Sequence, residues 1–65
     1  MNLYVNGKQI TTNASTLIHL LEEQQFDLSA VACAIEGNFV PRSLYSSTQL
    51  EAGQKIEVLA PMQGG

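Results

Sequence analysis

Cysteine occurs once in this chain, at Cys33. That excludes an intramolecular disulfide and any metal site built from cysteines alone. It also fits a reducing compartment. Basic residues are scarce: three lysines and arginines stand against six acidic residues, for a formal net charge of −3. Nucleic-acid binding calls for a basic face, so that class is set aside. A small negative balance suits steering toward a basic partner surface instead. No run approaches the ~20 apolar residues that span a bilayer. The opening MNLYVNGK has no basic region followed by an apolar stretch, so no signal peptide is expected and a cytoplasmic location is predicted. His19 has no second ligand at metal spacing, whereas a zinc site needs three or four converging ligands. No metal is expected.

What is present is one small globule. Sixty-five residues at 45% hydrophobic content fit a single domain, with no repeat, linker or low-complexity stretch. A chain of this size buries roughly 60% of its unfolded surface. Little room is left for a deep pocket, which points away from a self-contained enzyme and toward a protein handled by other proteins.

Periodicity supplies the elements. Met1, Leu3 and Val5 alternate with Asn2, Tyr4 and Asn6, the pattern of a half-buried strand. Asn6-Gly7 follows, a strong hairpin signal because both residues tolerate positive φ, and Lys8 to Thr12 forms the returning strand. Asn13 to Ser15 offer helix N-caps, with no capping box beyond Ser15. From Thr16 to about Gln25, Leu17, Ile18, Leu20 and Leu21 share one side of a helix, and His19, Glu22 and Glu23 fall on the other. Val31, Cys33 and Ile35 then alternate with Ala32, Ala34 and Glu36 as a third strand, with Gly37-Asn38 as its turn. Phe39-Val40 is a stub ended by Pro41. The stretch from Arg42 to Gln54 is irregular, with one helical turn near Ser43 to Ser46 and with Leu44 and Leu50 as core plugs. Ala52-Gly53 turns into a last strand, Lys55 to Leu59, and Pro61 ends it. Strand, strand, helix, strand, short strand, strand gives an α+β two-layer design.

The chain closes on APMQGG. Glycine loses more freedom on ordering than any other residue, so a terminal Gly-Gly is either inert fraying or a thin, side-chain-free carboxylate that something must hold. Four features tip the choice: MNLYVNGK with its NG turn, AIEGNFVPR with VPR after a short strand, LEAGQKIEVLAPMQGG, and a length with nothing beyond the fold. Together they resemble the small sulfur carriers of thiamin (thiazole) biosynthesis, the ThiS-type members of the ubiquitin-like β-grasp group. The resemblance implies a mixed sheet of four to five strands with one main helix on one face. It implies a β-grasp domain over residues 1–60 and a flexible C-terminal Gly-Gly tail over 61–65.

The same resemblance implies a protein co-substrate rather than an enzyme. A ubiquitin-activating-like enzyme adenylates the Gly65 carboxylate with ATP. A cysteine desulfurase system supplies sulfur, the carboxylate becomes a thiocarboxylate, and thiazole synthase consumes it. No cofactor is bound stably; ATP is used by the activating partner. Gly64 and Gly65 let the backbone approach closely, Pro61 stiffens the base of the tail, Met62 is adaptable enough to contact an apolar wall of the partner's passage, and Gln63 is counted with it among the partner-binding residues. Tyr4, Phe39 and Leu59 fall on the sheet face away from the helix and are candidates for docking. Other readings stay open: the small subunit of molybdopterin synthase, a ubiquitin-like modifier joined to lysines, or an interaction module with an incidental tail. Cys33 lies in an alternating apolar strand with no basic neighbour in sequence, the setting of an inert buried thiol rather than a persulfide carrier. Arg42 either binds a partner or flanks its turn. Lys8 and Lys55 would matter only in a chain-forming modifier.

Overall fold

The computed structural model describes residues 1–60. β1 (Asn2–Val5) and β2 (Lys8–Thr11) form an antiparallel hairpin, followed by α1 (Leu17–Glu23), a second hairpin of β3 (Ala32–Ile35) and β4 (Asn38–Val40), a 3-10 turn (Arg42–Leu44) and β5 (Lys55–Leu59). The five strands make one sheet in the order β2-β1-β5-β3-β4. The last strand therefore lies in the centre, parallel to β1 and antiparallel to β3. Its partners are Tyr4 and Val5 on one side and Ala32 to Ile35 on the other. This is the expected α+β, β-grasp arrangement at the upper end of the strand count.

Alternation sets the two faces. Leu3, Cys33, Ile56 and Val58 are buried, and they join Leu17, Leu20, Leu21 and Val31 in one core. Ile18, placed on the apolar side of the helix, is only half-buried. Met1 has the parity of Leu3 but is 42% exposed, because it precedes β1 and its ammonium donates to the Thr12 carbonyl at 2.8 Å.

The structure differs from the sequence reading at four further points. The helix N-cap is Thr16, not Asn13 to Ser15: its side chain accepts from the His19 N–H at 3.4 Å. The helix stops at Glu23, two residues early. Gln25 adopts a φ of 63°, and the Gln25 and Phe26 N–H groups donate back to the Glu22 and Leu21 carbonyls. This is a Schellman ending, with glutamine at the left-handed position that glycine usually fills. The second hairpin turns at Glu36-Gly37, with φ of 50° and 82°, and Asn38 already belongs to β4. Finally, Leu44 is 48% exposed, and Tyr45 takes the core position beside Leu50. The tight turn points residue 45 inward, and its hydroxyl finds the Val31 carbonyl at 3.1 Å, which satisfies the polar tip of a buried ring.

Candidate functional site

The outward face of the sheet is built from the alternate residues of the same strands. Tyr4 lies opposite Gln9 on β2 and Lys55 on β5. Ala34 lies opposite Phe39 and Glu57, and Ala32 opposite Leu59. Alanine projects only a methyl group, so the middle of this face is low between taller neighbours. A depression of about 120 Å³ lies there, bordered by Ala32, Ala34, Phe39, Glu57 and Leu59. A wider one of about 450 Å³ lies between Tyr4, Lys55, Glu57 and the two hairpin turns at Gly7 and Gly37. Glu57 borders both.

Phe39 and Leu59 are 70% and 71% exposed, and Tyr4 is 38% exposed. The structure thus brings Phe39 and Leu59 to one depression and Tyr4 to its neighbour, joined through Glu57. Sequence reading sets the alanines on one strand face and Glu57 on the face of Leu59, but names neither as part of the docking surface. The signal was available in Ala32 and Ala34, small residues at alternate positions of an exposed strand face. Pro61, Met62, Gln63, Gly64 and Gly65 lie outside the described residues.

β5, which leads toward those residues, is tied down by side chains from both hairpins. The Glu36 carboxylate accepts from the Lys55 N–H at 2.9 Å, at the start of the strand. Near its end, the Asn6 amide engages Val58 twice: Oδ1 accepts from the Val58 N–H at 2.8 Å, and Nδ2 donates to the Val58 carbonyl at 3.1 Å. Both tethers come from the first residue of a turn whose second residue is glycine, and both of those first residues hold positive φ. Asn6 was legible as a turn former and not as a clamp.

The remaining candidates are placed plainly. Cys33 is buried, and desolvation pushes its thiol up from the ordinary value, with the neighbouring Tyr45 hydroxyl opposing. A raised thiol pKa suppresses the thiolate, the form that carries sulfur chemistry. Burial likewise pushes the Tyr45 phenol up to about 12, aided by the nearby Cys33 thiol. Asp27 is held below the usual carboxylate range by hydrogen bonds from the Ser29 side chain and backbone, and by the nearby Arg42 charge. His19, Lys8, Arg42 and Lys55 are exposed. No cluster of three potential metal ligands occurs among the described residues. No helix there is long and apolar enough to cross a membrane.

A comparison with curated proteins gives no match. Among solved structures, the crystal structure of a thiamine biosynthesis protein (ThiS) from Geobacter metallireducens superposes with a TM-score of 0.85 at 29% identity, covering 100% of both chains. A solution NMR structure of a thiamine biosynthesis protein from the same organism gives a TM-score of 0.83 at 29% identity, covering 100% of this chain and 88% of that one. The family model described as the ThiS family matches residues 2–65, nearly the whole chain and its closing Gly64-Gly65. By that match the chain belongs to the ThiS family.

Proposed function

We propose that this protein is a sulfur carrier of thiamin biosynthesis, with Gly65 as the working residue. Family membership over residues 2–65 is the observation that carries the proposal, because the match runs through the terminal glycines. ThiS proteins are carriers acted on by other enzymes, so the role is that of a co-substrate. The chemistry starts from an α-carboxyl with a pKa of about 3.5, ionised at neutral pH. As a carboxylate it is a nucleophile but a poor acyl donor.

In the activating partner, a Gly65 carboxylate oxygen attacks the α-phosphorus of ATP. The bond to the β-phosphate breaks and pyrophosphate leaves. Hydrosulfide, released from the persulfide of a cysteine desulfurase system by a thiol that is oxidised to a disulfide, attacks the acyl carbon of the adenylate. The C–O bond to AMP breaks, the sulfur proton goes to solvent, and –C(=O)S⁻ remains for thiazole synthase to consume. Water must be kept from the acyl-adenylate, so the partner has to enclose the tail. Two glycines suit a narrow passage because they carry no Cβ. The outward sheet face, with Tyr4, Phe39 and Leu59 around the alanine floor, is the docking surface for these partners: an apolar cluster left exposed on a small domain marks an interaction site.

The decisive measurement is the intact mass of the protein after co-expression with its activating enzyme. Replacement of one oxygen by sulfur at the C-terminus supports the carrier role. Covalent adducts on lysines would indicate a modifier, and an unchanged mass an interaction module. Gly65→Ala is expected to abolish or strongly depress adenylation while leaving the urea unfolding midpoint unchanged. Turnover equal to that of the unaltered chain would refute the role given to Gly65.

A further inference from the structure

β1 pairs with β5 only at Tyr4–Lys55 and Val5–Ile56, after which the chain turns away into β2. The ladder continues one step through backbone, as the Asn6 N–H donates to the Ile56 carbonyl at 2.9 Å. Beyond that point no strand among the described residues lies on this side of β5. Val58, a residue only 4% exposed, still directs its N–H and its carbonyl there. A buried backbone group without a partner is costly. The Asn6 carboxamide supplies both missing partners, acceptor to N–H and donor to carbonyl, in the pattern of a peptide unit of the absent strand.

We propose that Asn6 is a positioning residue that fixes where the C-terminal segment leaves the sheet, and so sets the point from which Gly65 is presented to the activating partner. This rests on the carrier reading above. Val58 is the last residue of β5 with a hydrogen-bonded neighbour on the β1 side; Leu59 is held from the other side, opposite Ala32. Removing the carboxamide frees one side of the strand end. The end of β5 is then held less firmly, and the terminal carboxylate is brought less often into reacting geometry. The docking face is built from other side chains and is left in place.

Asn6→Gly is the informative variant, because glycine keeps the positive φ of 53° that Asn6 adopts and removes only the side chain. Asn6→Asp is the second variant: it also tolerates this conformation and can accept from the Val58 N–H, but it cannot donate to the Val58 carbonyl. Two readouts are taken on each. Amide hydrogen exchange at Val58 is expected to accelerate about tenfold in Asn6→Gly, the scale of one to two lost hydrogen bonds, with the Leu3 and Leu21 amides unchanged. Steady-state adenylation by the activating enzyme is expected to show a several-fold lower kcat with KM held. Asn6→Asp is expected to fall between Asn6→Gly and the unaltered chain in exchange, and to lower kcat in the same sense.

Unchanged exchange at Val58 would show that the strand end is held without Asn6 and overturn the inference. Faster exchange with unchanged kcat would reduce Asn6 to a structural tether and overturn it equally, as would a rise in KM alone. If Asn6→Gly does not fold, the Asn6→Asp pair of readouts decides by the same criteria. A failure of the unaltered chain to be adenylated would instead refute the carrier reading, and the positioning role with it, while the exchange data would still show whether the side chain clamps the strand.

Discussion

The two faces of the sheet are made by the same strands in the same register, and they differ in almost every other respect. The helix side is closed: Leu3, Cys33, Ile56 and Val58 are at most 4% exposed and pack under Leu17, Leu20 and Leu21. The outward side leaves Phe39 and Leu59 70% and 71% exposed, above a floor of two alanines. Apolar burial drives folding, so the first face accounts for why the chain has a structure. Among the described residues nothing covers the apolar surface of the second, and that surplus is what a partner would cover. One residue step along a strand thus separates stability from recognition.

The sharpest way to break this contrast is to strike the closed face. Leu21 is fully buried on the helix and also takes part, through its carbonyl, in the helix ending. Leu21→Ala is expected to cost about 2–5 kcal/mol, as large-to-small core substitutions do. A domain of this length has only about 3–10 kcal/mol in total at the usual per-residue stability. Urea denaturation should therefore show a collapsed midpoint, or no folded baseline. A loss under about 1 kcal/mol would mean that the helix layer is dispensable and the contrast misdrawn.

The opposite stroke is Leu59→Glu on the outward face. Its stability is expected to stay within about 0.5 kcal/mol of the unaltered chain, as for surface substitutions away from packed features. KM with the activating enzyme is expected to rise about tenfold, equivalent to about 1.4 kcal/mol of docking free energy. Unfolding midpoint and KM are measured on the same preparation. A large stability loss with normal KM would assign Leu59 to the fold, and unchanged activation and sulfur delivery would remove the docking role.

The same contrast explains what could be read from the sequence. Strand alternation carried the closed face: Leu3, Val31, Cys33, Ile56 and Val58 were legible because period two is a property of the chain itself. The outward set, Tyr4, Phe39 and Leu59, followed as the complement. What stayed hidden depends on long-range geometry. Gln25 closes the helix in a left-handed conformation with no glycine to announce it, Tyr45 displaces Leu44 from the core because only its hydroxyl reaches the Val31 carbonyl, and Asn6 reaches a residue 52 positions away. The tail was legible as a motif alone: Gly64 and Gly65 have no side chains whose pattern could be weighed, so family resemblance had to supply their chemistry.

The finest test sets the two tyrosines against each other, one per side. Tyr45 is 3% exposed and donates to the Val31 carbonyl; Tyr4 stands on the outward face. Tyr45→Phe keeps the ring and deletes the donor, and is expected to cost about 1 kcal/mol at neutral pH. Tyr4→Phe is expected to fall within about 0.5 kcal/mol. pH then separates the two further. The folded state holds the Tyr45 proton up to about 12, against an ordinary value of about 10 in the unfolded chain. Between these values the unfolded state binds fewer protons, so the Tyr45 contribution is whole below pH ~10 and is lost as the pH rises toward the folded value. Cys33, whose thiol burial also raises, is present in both proteins. The difference between the unaltered chain and Tyr45→Phe in urea midpoint should therefore narrow above pH ~10, where the wild-type advantage erodes and the variant has no phenol at that position to lose. A gap that stayed constant through that range would mean the buried hydroxyl is not held neutral by its surroundings, and the closed face would be less closed than its packing implies.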